Sequence, residues 1–192
     1  MVKKIFLTLG SIFLFYKTYE LIYWLINFTP NRFNVMGSLA LSLVLNLFIT
    51  GIFAFVGFAF LTSKMLPSSY YLVKQTKAIL FLHKILGLTY FKSFLLKMYW
   101  GKESNRKRYF NGKAAGLKDF STQTKQAEFG HLAAFVSILL VSIVLLYYKY
   151  VMIFIMSNII NILANLYPIL LQRSHRIQIQ RLEKLSKRKN DA

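Results

Sequence analysis

Gln126-Ala127-Glu128-Phe129-Gly130-His131 runs directly into the apolar stretch Leu132 to Tyr148, and this junction decides how the chain is read. It sets a carboxylate and an imidazole three residues apart, on one face of a helix just entering a membrane. Ionisable side chains near a bilayer are costly, so they mark a site, a partner or a helix end that still reaches water. Beyond Tyr148, Lys149 and Tyr150 form a minimal turn and Val151 to Leu171 makes another apolar run. Both runs are long enough for a hydrocarbon core of about 30 Å. Spans joined by so short a turn are antiparallel neighbours. Glu128 and His131 therefore reach the same membrane face as a second polar cluster, Asn165 to Arg176.

Working back toward the N-terminus, Ile5 to Ile26 reads as a first span. Its basic start imitates a signal peptide, but no small-x-small cleavage site follows. Lys17 and Glu20 interrupt it at a spacing that lets them pair along the helix. Asn27 to Asn34 is a turn around Pro30. Met36 to Leu61 is a second, uncharged span, in which Gly37, Gly51 and Gly57 permit close helix approach and Asn46 suits an interhelical hydrogen bond. Tyr70 to Trp100 reads as an interfacial helix with Lys74, Lys77, Lys84 and Lys92 gathered on one side, divided in two at Gly87. Lys102 to Lys118 is the polar centre. There Arg106-Lys107-Arg108 and Lys113, between Gly112 and Gly116, form either a phosphate cradle for a donor such as coenzyme A or a lipid-attracted basic loop. The glycines match no nucleotide fingerprint. The tail from Gln172 to Ala192 is basic and helical.

The fold expected is thus an all-α membrane protein with about four transmembrane helices and interfacial amphipathic helices between the second and third spans. Its divisions fall at 1–63, 64–127 and 128–192. Of its 192 residues 56% are hydrophobic and 17% aromatic, which removes it from the ordinary soluble class. The formal net charge of +19 lies between and after apolar runs, so it favours anionic lipid and phosphorylated substrates over nucleic acid. The positive-inside rule puts both termini and the long middle segment in the cytoplasm. The absence of cysteine excludes disulfides, thiolate nucleophiles and cysteine-ligated metal. His83, His131 and His175 lack metal-ligand spacing, and neither a metal nor a bound cofactor is expected. Nothing in the sequence sets an oligomeric state.

Histidine at such an interface can act as general base toward a hydroxyl, with a carboxylate one turn away to orient it. His131 and Glu128 are the candidate pair. Arg173 and Arg176 suit phosphate or a developing oxyanion, with Asn165 and Gln172 as hydrogen-bond donors. Lys107, Arg108 and Lys113 are further contacts for an acyl donor. The plainer reading makes Glu128 a favourable charge at a helix N-terminus, His131 a solvated interfacial ring and the arginines the basic flank of a last span. Two other functions fit less of the pattern: a non-catalytic partner that docks lipid or another enzyme, and a small membrane methyltransferase.

Gln123-Thr124-Lys125-Gln126-Ala127-Glu128-Phe129-Gly130-His131 leading into a span, then Ala164-Asn165-Leu166-Tyr167-Pro168-Ile169-Leu170-Leu171-Gln172-Arg173-Ser174-His175-Arg176 closing the next, resembles the glycosyl-4,4'-diaponeurosporenoate acyltransferase family. The likeness runs from His83 to Leu185. It implies a small bacterial membrane acyltransferase; the type member attaches a fatty acyl chain to the sugar of a glycosylated carotenoid acid. The family pattern falls on Glu128, His131, Asn165, Pro168, Gln172, Arg173 and Arg176, and departs at His175, where Asn is expected, and Gln178, where Arg is. The resemblance implies acyl-CoA or an acyl carrier as donor and a lipid or glycolipid of the membrane as acceptor.

Overall fold

The computed structural model describes residues 1–27, 33–98 and 116–190. Among the described residues four helical stretches are long and apolar enough to cross a membrane. They are α1 (Val2–Ile26), α2 (Val35–Ala59), α6 (Leu117–Tyr147) and a last stretch built from α7 (Val151–Asn161), a π-helical turn (Ile162–Leu166) and α8 (Tyr167–Asn190). Between α2 and α6 come a 3-10 turn (Thr62–Lys64) and the short helices α3 (Ser68–Tyr71), α4 (Thr76–Ile85) and α5 (Leu88–Met98). The four-span, all-α architecture expected from the apolar runs is the one observed. The chain divides into two compact units, one of Met1–Thr62 with Gly130–Pro168 and one of Ser63–Phe129 with Ile169–Ala192.

In the first unit α1 packs on α2 and α2 on α7. Lipid tails are as apolar as leucine, so packing and hydrogen bonds, rather than escape from water, hold such spans together. Gly51 supplies the close approach: a Cβ there would lie 2.6 Å from the Leu14 side chain. Beside it Ser11 Oγ donates to the Ile52 carbonyl at 3.3 Å. Leu25, Leu45, Ile49, Ile138, Leu145, Tyr150 and Ile153 form the apolar core, and the Tyr150 hydroxyl donates to the Leu25 carbonyl at 2.6 Å. Asn34 caps α2 by accepting from Gly37 N at 2.8 Å, as a carboxamide at that position should. Lys149 takes φ 66° in the tight turn between α6 and α7. The pair expected within α1 is present on its exposed side, with Lys17 Nζ 2.7 Å from Glu20 Oε2.

In the second unit the helix expected from Tyr70, divided in two at Gly87, forms three pieces, with the expected break at Gly87 and a further one after Tyr71. Leu72 is extended, and Val73 turns a β-branched side chain inward rather than continuing a helix. Gly87 then adopts φ +60°, a left-handed conformation that glycine reaches without strain, and α4 and α5 are bent by 73° across it. Taken together α4 and α5 are long and apolar enough for a span, but each alone is only 10 or 11 residues. Leu80, Phe81, Ile85, Tyr90 and Phe94 are exposed, and only Leu88 is buried across the two helices.

The π-helical turn has a cause in the sequence. Pro168 carries no N–H and its ring crowds the carbonyl four residues earlier. The helix widens there, and Tyr167 N–H reaches back five residues to Ile162 O. Asn165 lies within that widened turn and is fully buried.

Candidate functional site

The residues singled out by the sequence gather in two sets, one within each unit. In the second unit Glu128 on α6 is completely buried. A buried carboxylate is tolerated only when it is paired and hydrogen-bonded. Its Oε1 lies 2.5 Å from Arg173 Nε and its Oε2 3.4 Å from Arg176 Nη2. Both arginines come from α8, three residues apart, so one helix face delivers two positive charges to one carboxylate.

Each guanidinium is further held by α3 and α6. Arg173 donates to the Tyr70 carbonyl at 2.8 Å and sits 4.3 Å from the Tyr70 ring centroid. Arg176 donates to the Ser121 carbonyl at 3.4 Å and lies 5.1 Å from the Tyr71 ring centroid. Lys125 Nζ approaches the same ring at 5.4 Å, and the Tyr71 hydroxyl donates to the Lys125 carbonyl at 3.4 Å. Cations over tyrosine faces in a desolvated setting are each worth about 1–2 kcal/mol. Burial strips water from the phenolates, and the Glu128 carboxylate opposes a second negative charge beside it. The Tyr70 hydroxyl is thus raised above its ordinary value and Tyr71 is pushed up to about 12. Both phenols are neutral donors at any physiological pH.

In the first unit the chemistry is uncharged. His131 Nδ1 lies 3.0 Å from Asn165 Oδ1. Asn165 Nδ2 donates to Thr50 Oγ1 at 3.1 Å and to Asn161 Oδ1 at 3.0 Å, and Asn161 Nδ2 donates to the Phe135 carbonyl at 2.9 Å. Asn161 and Asn165 are wholly buried, whereas His131 is half-buried. This set continues a polar strip between α2 and α7. Ser42 Oγ donates to the Ile153 carbonyl at 3.3 Å, and Asn46 Nδ2 donates to the Ser157 carbonyl at 3.2 Å. The interhelical role expected of Asn46 is the one it has.

The structure therefore brings Glu128 together with Arg173 and Arg176, and His131 together with Asn165. The side chain facing His131 Nδ1 is the Asn165 carboxamide, while the Glu128 oxygens face arginines. Gln172 is half-buried on α8, and His175 stacks edge-on against Phe120 at 5.6 Å between centroids. Lys107, Arg108 and Lys113 lie outside the described residues. Among the described residues no three histidine or acidic side chains gather as metal ligands would. Sequence reasoning missed Tyr70, Tyr71, Thr50 and Asn161. The last two carried a signal: Ser38, Ser42, Asn46 and Thr50 recur every fourth residue, as do Ser157, Asn161 and Asn165, which aligns each set along one helix face. Nothing in the sequence marks the two tyrosines as partners of arginine.

Residues 67–185 match the model of a family described as glycosyl-4,4'-diaponeurosporenoate acyltransferase. No curated protein and no solved structure matches the chain.

Proposed function

Since this chain belongs to the glycosyl-4,4'-diaponeurosporenoate acyltransferase family and is a multi-pass membrane acyltransferase, we propose that it moves a fatty acyl group from acyl-CoA or an acyl carrier to a hydroxyl of a membrane-resident lipid or glycolipid. The observation that carries this reading is the 3.0 Å contact between His131 Nδ1 and Asn165 Oδ1. A histidine held at one ring nitrogen by a fixed acceptor presents the other as a base. His131 Nε2 takes the proton of the acceptor hydroxyl, and the oxygen attacks the thioester carbonyl carbon. The tetrahedral adduct collapses with cleavage of the C–S bond, and the thiol leaves with the proton returned by the imidazolium. An ester on the acceptor and a free thiol are the products.

Asn165 takes the orienting part in this scheme, and Glu128 acts by fixing Arg173 and Arg176. Arg173, with 16% of its side chain exposed, is the arginine through which that pair meets substrate. Gln172 and Arg173 bind substrate phosphate, with Lys107, Arg108 and Lys113 as further donor contacts. The positive-inside distribution supports a cytoplasm-facing site with both termini on that side.

Comparative lipid mass spectrometry tests the reaction. Cells expressing the intact protein and cells expressing His131→Ala at equal membrane level are compared with cells lacking it. A lipid that gains the mass of a fatty acyl group only with the intact protein supports the assignment and identifies the acceptor. Equal acylation by the His131→Ala protein would overturn His131 as the base.

A further inference from the structure

We infer that Asn161 is a positioning residue that, acting through Asn165, holds the His131 imidazole as the Nδ1–H tautomer and leaves Nε2 with its lone pair. One atom of the network has a role that is not open to choice. A backbone carbonyl can only accept, so the Asn161 side-chain atom 2.9 Å from Phe135 O must be its NH2 group. That fixes the orientation of the Asn161 carboxamide, an assignment that otherwise rests on the surrounding network. Its oxygen then points at Asn165, at 3.0 Å. An oxygen there requires a donor, so the Asn165 atom facing it is also NH2. Thr50 Oγ1 takes the second N–H of the same group at 3.1 Å. With both N–H bonds committed, the remaining Asn165 atom, 3.0 Å from His131 Nδ1, is the acceptor oxygen. Nδ1 must carry a proton.

The arrangement uses two rungs. His131 and Phe135 are one turn apart on α6, and Asn161 and Asn165 are four residues apart on the facing stretch, so each rung joins the same two segments. Reversing the Asn165 amide would set its oxygen against the Asn161 oxygen, both buried and neither with a proton to share. No carboxylate takes part. The neutral chain therefore dictates where the proton sits without placing a charge inside the first unit.

The inference rests on His131 as the base only for its catalytic consequence; the tautomer is a property of the resting protein. Nitrogen-15 NMR of histidine-labelled protein in nanodiscs reads it at about pH 8, above the ordinary imidazole value of ~6.5. The His131 signals are assigned by their loss in His131→Gln. The wild type should show a single Nδ1–H form, and an Nε2–H form in the wild type overturns the inference without recourse to any further variant. Asn161→Leu, which keeps the γ-branched shape but removes both hydrogen bonds, should give a mixture of tautomers and lower kcat about a hundredfold at nearly constant KM. An unchanged Nδ1–H form in that variant also overturns it. Asn161→Asp should restore the wild-type form: burial keeps the new carboxyl protonated, its O–H donates to Phe135 O and its carbonyl accepts from Asn165. A shifted tautomer in Asn161→Leu with unchanged kcat supports the positioning role and removes His131 from the chemistry. Loss of turnover in His131→Ala with no tautomer shift in Asn161→Leu does the reverse.

Discussion

The two polar sets solve the problem of keeping hydrogen-bonding groups out of water in opposite ways. Around Glu128 a buried negative charge is matched by two guanidinium groups and flanked by tyrosine faces. Around His131 every member beyond the imidazole is an amide or hydroxyl, and the set ends on a backbone carbonyl. A charged set is locked by what it costs to leave a charge unpaired. A neutral one holds its members more weakly but fixes the location of a proton. The first should therefore govern whether the second unit folds, and the second should govern turnover.

The largest effect expected from this contrast is on folding. Glu128→Leu leaves two buried or half-buried arginines without their counter-charge, and breaking a buried pair from one side costs about 3–5 kcal/mol. Unfolding by SDS titration should move to markedly lower detergent fraction, and expression should fall. A Glu128→Leu protein as stable as the wild type would break the comparison, because the carboxylate would then be replaceable.

His131→Gln should do the opposite. It keeps a polar side chain at the position and leaves Asn165 bonded to Asn161 and Thr50, so stability should change by less than about 1 kcal/mol. Acyl transfer should drop by about 10²–10⁴-fold, the usual contribution of a positioned base. If stability fell as far as for Glu128→Leu, the division of labour between the two sets would not hold.

Much of the fold was legible because membranes make sequence signals coarse. The uncharged run from Met36 to Leu61 and the turn at Lys149 needed no tertiary information, and Gly87 divides α4 from α5 through a backbone angle that other residues reach only with strain. The start of α6 was not legible from hydropathy. Its first turns, from Leu117, are polar, and they are held by contacts such as Arg176 to Ser121 O that no local pattern announces. At the candidate site, spacing along one helix suggested that Glu128 serves His131. What spacing cannot supply is the facing helix, and α8 offers Glu128 two arginines while the widened turn before Pro168 offers His131 an amide.

A smaller effect should follow at the aromatic faces. Tyr70→Leu retains the carbonyl that accepts from Arg173 and removes the ring beneath the guanidinium, with its edge contact to Tyr71 and its hydroxyl's hydrogen bond to Glu128. The loss should be about 0.5–2 kcal/mol in the same SDS titration. A double-mutant cycle with Arg173→Lys sharpens the point, since lysine cannot reproduce the planar stacking. Strict additivity would mean that ring and guanidinium do not interact.

The smallest effect is in the alkaline titration of Tyr71. Its hydroxyl ionises at about 12, chiefly because burial disfavours the phenolate and next because Glu128 opposes it. An unfolded tyrosine ionises near 10, so between those values the folded protein holds a proton that the unfolded chain has lost. The stabilisation is complete below about pH 10 and disappears as pH rises through the folded value. Stability should accordingly decline over that window, and Tyr71→Phe should decline less, because phenylalanine has no proton to lose. Difference absorbance at tyrosinate wavelengths, wild type minus Tyr71→Phe, isolates this one group among the chain's 12 tyrosines. Repeating it in a Glu128→Gln background connects the titration to the charged set. Removing the carboxylate while Arg173 and Arg176 remain should lower the Tyr71 midpoint, since the arginines favour the phenolate. A midpoint that stays in place would mean that burial alone sets it and that the phenol does not sense the charge on Glu128.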